Sequence, residues 1–173
     1  MRSTGLAMIG ARTGDRVIFL GAPGPADATL AAEVAAATGL SGRTLVVDVG
    51  PEPRARVEAA GAKAGALVEF EWAPVTMLPL EGGAFDIAVV CRQLSGLEGH
   101  NRVACCQEAL RMLAPKGRVV VVEGQRRPGL FGLLPSKVPG LPAADVTDAL
   151  KTAGARAVRT LADIDGVAYY EAK

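Results

Sequence analysis

The turn Gly21-Ala22-Pro23-Gly24-Pro25 and the carboxylate of Asp48 are the two features of this chain whose types and spacing suit the holding of a ligand. The turn lies between an apolar run and an alanine-rich stretch that begins near Ala26. It therefore sits at a helix N-terminus, where backbone N–H groups and the helix dipole favour electron-rich atoms. Asp48 closes the apolar run Thr44-Leu45-Val46-Val47. A carboxylate accepts two hydrogen bonds at once, which matches a pair of neighbouring hydroxyls; the same residue also reads as a helix cap or loop aspartate. A third polar cluster, Arg92-Gln93-Leu94-Ser95, follows another apolar run, and its guanidinium suits an anionic group.

Metal and thiol chemistry find little support. His100 is the single histidine and precedes a helix, so an exposed or helix-start role is expected of it. The three cysteines, with Cys105 and Cys106 adjacent, give neither a CxxC spacing nor an even disulfide framework and read as reduced core thiols. Half of the residues are apolar and the formal net charge is +1, which argues against disorder and against a nucleic-acid surface. Charged residues, glycine or proline break every apolar run before the roughly 18 residues of a membrane span, and no basic-then-apolar leader opens the chain. The expectation is one cytoplasmic domain over residues 1–173.

The elements that must position these groups alternate between short β-branched runs and longer alanine- and leucine-rich runs, the order of a parallel sheet covered on both faces. Strands are expected at 16–21, 44–49, 66–70, 85–91, 117–123, 155–161 and 167–172. Helices are expected near 27–38, 101–113 and 143–153, with one more that starts at Gly50-Pro51-Glu52 and continues over 54–63. Because the run at 44–49 is continuous rather than alternating, it predicts a buried strand and not an edge. The last two strands are joined by a short turn and must be antiparallel. The glycine- and proline-rich segment 125–142, flanked by Arg126, Arg127 and Lys137, reads as an apolar flap over a pocket.

Two stretches carry a family resemblance: Leu78-Pro79-Leu80 followed by Phe85-Asp86-Ile87-Ala88-Val89-Val90, and Ala109-Leu110-Arg111-Met112-Leu113-Ala114-Pro115-Lys116-Gly117-Arg118-Val119-Val120-Val121-Val122. These are similar to the LPF…FDVVV and LRVLKPGGRLVVV stretches of class I S-adenosylmethionine-dependent methyltransferases, in particular the small-molecule branch of the ubiquinone and menaquinone biosynthesis enzymes. The resemblance covers about residues 14 to 172. It implies a three-layer Rossmann-like α/β fold with a seven-stranded, mostly parallel sheet and an antiparallel last strand.

It also implies roles for individual residues. Gly21, Ala22, Gly24, Asp48, Val49, Ala73, Val75 and Cys91 fall where the family holds S-adenosylmethionine, with Asp48 on the ribose hydroxyls. Arg92 and Gln93 fall where it meets a methyl acceptor. Asp86 falls at a structural position. The family's D-x-G-x-G-x-G loop is altered: Phe19 replaces its aspartate, and Pro23 and Pro25 replace two glycines. Pro74 stands where an aspartate meets the adenine, with Glu71 or Trp72 near enough to compensate. Proline removes an N–H donor and adds a ring, so the two loop prolines are expected to limit cofactor binding most.

Only about fifteen residues precede the first strand, so the pocket is expected to be open there or covered by a partner. The resemblance thus implies either methyl transfer to a small molecule or a catalytically silent binding or assembly module that contacts another protein. A nucleotide-binding oxidoreductase, with Asp48 on an adenosine ribose, ranks third. The Ala-Pro-Lys-Gly turn and the closing antiparallel pair favour the methyltransferase pattern over it.

Overall fold

A computed structural model describes residues 3–124 and 140–173. In chain order the elements are α1 (Thr4–Ile9), β1 (Arg16–Leu20), α2 (Pro25–Thr38), β2 (Arg43–Asp48), α3 (Pro51–Ala64), β3 (Glu69–Trp72), β4 (Phe85–Cys91), α4 (Gly99–Arg111), β5 (Leu113–Gly124), α5 (Ala143–Thr152), β6 (Val158–Ile164) and β7 (Val167–Ala172). The strands form one sheet in the order β3-β2-β1-β4-β5-β7-β6. β1 to β5 run parallel, β7 is antiparallel to β5, and β6 is antiparallel to β7. Among the described residues, β7 alone of the seven strands therefore opposes the common direction.

The apolar runs explain this arrangement. Val17, Leu20, Val46, Val47, Val89, Val90, Val120 and Val121 are all fully buried, because alternate residues face helices on opposite sides of the sheet. One face packs Ile18, Leu20, Val47 and Val90 against Cys105, Cys106 and Ala109 of α4 and Val146 and Leu150 of α5. The other packs Val17, Phe19, Val46 and Val89 against Leu6 and Ile9 of α1, Ala28, Ala31 and Val34 of α2, and Val57 of α3. β2 lies between β1 and β3, as its unbroken apolar run requires.

Element boundaries differ from expectation where local chemistry acts. Pro25 starts α2 two residues before the expected 27, since proline at the first helical position forfeits only an N–H that has no partner there, while Pro51 starts α3 as expected. β3 begins three residues late because α3 runs on to Ala64 and closes on Gly65 in the left-handed region, with Ala66 N–H bonded back to Gly61. β6 is also displaced by three residues, as Arg156 N–H pairs with the carbonyl of Lys173 before the ladder opens. β5 starts early, at Leu113 opposite Phe85, and its register then shifts.

The loop between β3 and β4 is pinned from α4. Arg111 donates to the carbonyls of Leu78 and Leu80, and Glu108 accepts the Leu78 N–H at 2.7 Å. Arg111 and Glu108 are themselves paired. The Leu-Pro-Leu stretch is thus held by side chains one helix away. The flap expected at 125–142, with Arg126, Arg127 and Lys137, lies outside the described residues except at its end, where Leu141 is buried and its N–H bonds to Gly124. Among the described residues, no helix is long and apolar enough to cross a membrane.

Candidate functional site

Because β2 and β3 lie on one side of β1 and β4 and β5 on the other, the strand order reverses between β1 and β4. In open α/β sheets a ligand crevice forms at the C-terminal ends of strands at such a point. Here those ends carry the Gly21–Pro25 turn, Asp48 and the Arg92-Gln93 pair, so the topology gathers residues that are distant in sequence.

Asp48 is 6% exposed and ties the ends of β1 and β2 together. Its Oδ2 accepts the Ala22 N–H at 2.9 Å and its Oδ1 the Val49 N–H at 2.8 Å. It borders a cleft of about 550 Å³ lined by Pro23, Val49, Gly50, Glu52, Arg56 and Gln93 among others. Arg56 closes one side, donating to the Pro23 carbonyl and pairing with Glu52 at 2.8 Å. Gly21 has φ +87°, a conformation open to glycine, and its N–H bonds to the Val47 carbonyl. The side chain of Gln93 rests directly on it: a methyl group on Gly21 would come within 2.0 Å of Gln93 Nε2.

On the other side of this turn Asp27, in the first turn of α2, is 4% exposed. Its Oδ2 accepts the Gly24 N–H at 3.0 Å, which caps the helix, and its Oδ1 accepts Arg92 Nε at 2.9 Å. Cys91 Sγ also donates to Oδ1, at 3.5 Å. Burial, and next the Asp27 charge, push the Cys91 thiol well above its ordinary range. Arg92 is a non-glycine residue at φ +50°, and its N–H bonds to the Val122 carbonyl at 2.8 Å. Beyond it, Glu123 is 1% exposed and accepts the Ser95 hydroxyl at 2.9 Å and the Gly124 N–H at 3.1 Å. Asp27, Arg92, Ser95 and Glu123 line a second cavity of about 460 Å³ with Pro23, Gly24, Pro25 and Ala26.

The residues expected at a cofactor site therefore separate. Gly21, Ala22, Asp48 and Val49 gather at or beside the first cleft, and Gln93, expected on the acceptor side, joins them there. Gly24 and Arg92 face the second cavity. Ala73, Val75 and Cys91 are buried: Ala73 and Val75 pack in the core beside β2 and β4, and Cys91 packs under α2. Trp72 ends β3 opposite Asp48 and is 58% exposed, whereas Phe19 is wholly buried in the core. Asp86 lies at the opposite end of the sheet on Arg16, whose guanidinium holds its carboxyl below the usual range. His100 is exposed in the first turn of α4.

Before β1, where the pocket is expected to be open or covered by a partner, the chain forms α1. Ser3 donates to Glu33 of α2, and Ser3 and Gly5 wall a cavity of about 300 Å³ that also reaches Arg92 and Tyr169. Sequence reasoning names the Arg92–Ser95 loop but passes over Asp27, Glu123 and Arg56 as site residues. Glu123 had a readable signal, a charge at the end of a valine run; Asp27 reads only as a first-turn acid.

The sequence profile of the family described as "Methyltransferase domain" matches residues 24–121, more than half of the chain. No curated protein matches the chain by sequence. Among solved structures, a SAM-dependent methyltransferase from Aquifex aeolicus superposes with a TM-score of 0.74 at 17% identity, over 96% of this chain and 86% of that one. The [4+2]-cyclase SpnF superposes with a TM-score of 0.70 at 17% identity, over 97% of this chain and 76% of that one. A chain from the complex of the Haloferax volcanii Trm112 methyltransferase activator with a methyltransferase gives 0.67 at 14% identity, over 97% and 86%. At these identities the likeness shows the fold.

Proposed function

Since this chain belongs to the methyltransferase domain family, we propose that it binds S-adenosylmethionine at the C-terminal ends of β1, β2 and β4 and methylates a small molecule. One observation carries the reading: a buried carboxylate, Asp48, borders a cleft of about 550 Å³ at the point where the strand order reverses. Each Asp48 oxygen accepts one backbone N–H and keeps a lone pair for a ribose hydroxyl. The nucleoside end of the cofactor thus fits the residues present. Its amino-acid end would have to pass the Gln93 side chain, which lies over Gly21.

When bound, S-adenosylmethionine supplies a methyl group on a positively charged sulfur. The chain's contribution is chiefly positioning, since methyl transfer needs the acceptor in line and a base only when the acceptor must lose a proton. The second cavity suits that acceptor. Arg92 offers a cation held in place by Asp27, and Glu123 orients the Ser95 hydroxyl.

A second reading is favoured by the Gln93 contact together with Phe19, Pro23 and Pro25: a catalytically silent module that binds another protein. A protein activator accompanies the methyltransferase of the Haloferax volcanii complex, and such a partner for this chain belongs to this second reading. Titration calorimetry with S-adenosylmethionine and S-adenosylhomocysteine separates the two. Micromolar binding upholds the enzyme; no heat at millimolar ligand overturns it in favour of the module.

A further inference from the structure

We propose that Gln93 determines which ligands the first cleft admits. With its side chain on Gly21 the cleft takes a nucleoside, and only displacement of that side chain admits the amino-acid arm of S-adenosylmethionine. The inference rests on reading the cleft as the cofactor site and goes beyond it by assigning the selecting residue.

The contact is close. A methyl group placed on Gly21 would lie 2.4 Å from both Cγ and Cδ of Gln93 as well as 2.0 Å from Nε2. The space that a glycine at φ +87° leaves above its own backbone is therefore filled by a neighbouring residue, where a ligand would otherwise approach. The nucleoside side is different. Asp48, Val49, Gly50 and Pro51 line the cleft together with Gln93, and none of these four is among the nearest atoms that crowd the Cβ position of Gly21.

The main chain fixes where Gln93 starts. Arg92, immediately before it, adopts the left-handed conformation and is held by its N–H on Val122 and its side chain on Asp27. Immediately after it a 3₁₀ turn spans Leu94–Gly96, and Gly96 N–H bonds to the Gln93 carbonyl at 3.1 Å. This backbone turn directs the side chain back across β4 toward β1. The side chain itself is only partly buried, and no hydrogen bond to its amide occurs among the described residues. A long side chain held by packing alone can change rotamer without breaking a bonded network. Gln93 is thus a movable cover on a fixed mount.

The test is calorimetric titration of adenosine and of S-adenosylhomocysteine into the full chain, its Gln93→Ala variant and its Gln93→Asn variant. Circular dichroism melts establish that each is folded. Gln93→Ala is expected to bind S-adenosylhomocysteine about tenfold tighter or better than the parent, and adenosine within about twofold of it. Gln93→Asn, with a shorter cover, falls between and carries the test if the alanine variant does not fold. Equal S-adenosylhomocysteine affinity in parent and variants overturns the selecting role while leaving the cofactor reading intact. Tightening of adenosine by the same factor also overturns it, because Gln93 then obstructs the whole cleft. Failure of every protein to bind either ligand removes both the selecting role and the cofactor site.

Discussion

Asp27 of α2 and Arg92 at the end of β4, 65 residues apart in sequence, form an ion pair at 2.9 Å across the point where the strand order reverses. The aspartate is nearly inaccessible and the arginine about one-third exposed, so water weakens the pair only from one side. Removing Arg92 leaves a buried carboxylate with one fewer donor, while its left-handed backbone strain remains in any residue that has a Cβ. Arg92→Ala is therefore expected to lower stability by about 1 to 2 kcal/mol. Arg92→Gly loses the same ion pair but relieves the strain, and should be the more stable variant by about 1 kcal/mol. Urea denaturation of the three proteins measures both differences; equal stability of the two variants would contradict the strain.

Asp48 has a structural duty that exists without any ligand. Asp48→Asn replaces one carboxylate oxygen by an amide that cannot accept the N–H of Ala22 or Val49. A loss of about 1 to 3 kcal/mol in the ligand-free protein is expected, the scale for a buried donor left unpaired. Chemical denaturation without ligand is the measurement, and calorimetry on the same variant reports the further loss of nucleoside affinity. A variant as stable as the parent would show that the two N–H groups find other acceptors.

Pro25 occupies the first helical position of α2, where a missing N–H removes nothing the helix uses. The lost N–H at Pro25 therefore offers no obstacle to a cofactor, and we propose that Pro23 and Gln93 limit the turn more than Pro25 does. Pro25→Ala should leave S-adenosylhomocysteine affinity within about twofold of the parent. It should cost about 0.4 to 1 kcal/mol of stability through the freer unfolded chain. Marked tightening of the ligand in this variant would restore Pro25 as the obstruction.

The cysteines make an alkaline prediction. All three are buried; burial pushes the Cys106 thiol up to about 12 and raises Cys91 and Cys105 as well. An unfolded thiol releases its proton near pH 8.5 while the folded one retains it, so the unfolded state binds fewer protons above that pH. Stability from this source is fully present below about pH 8.5 and falls as pH rises toward 12. Native protein at pH 8 should react slowly with a thiol reagent, and denatured protein should expose all three groups at once. Rapid labelling of one thiol in the native state would mark a local opening.

What sequence could and could not reveal follows from the range of the forces involved. Valine runs specify buried strands through a local property, hydrophobic continuity, and so the sheet and its antiparallel closing strand were readable from residues alone. Asp48 was legible as a site candidate because strand and carboxylate are adjacent. Its bonds to Ala22 and Val49 were less so, since one of them joins different strands. The Gln93 cover was invisible, because it depends on a left-handed turn at Arg92 that Asp27 stabilises from another helix. Ala73, Val75 and Cys91 were placed by family likeness, which assigns a position along the chain but not the direction its side chain takes.

The hold that Arg111 and Glu108 keep on Leu78 and Leu80 has a consequence for affinity. Leu78 and Leu80 lie on the stretch that leads into β4, beside the C-terminal end of α4, and their backbone is fixed there without any ligand. Ordering a loop on binding subtracts from the free energy a ligand can show. Here the ordering of Leu78 and Leu80 is already complete, so a ligand whose site included this stretch would bind without that deduction.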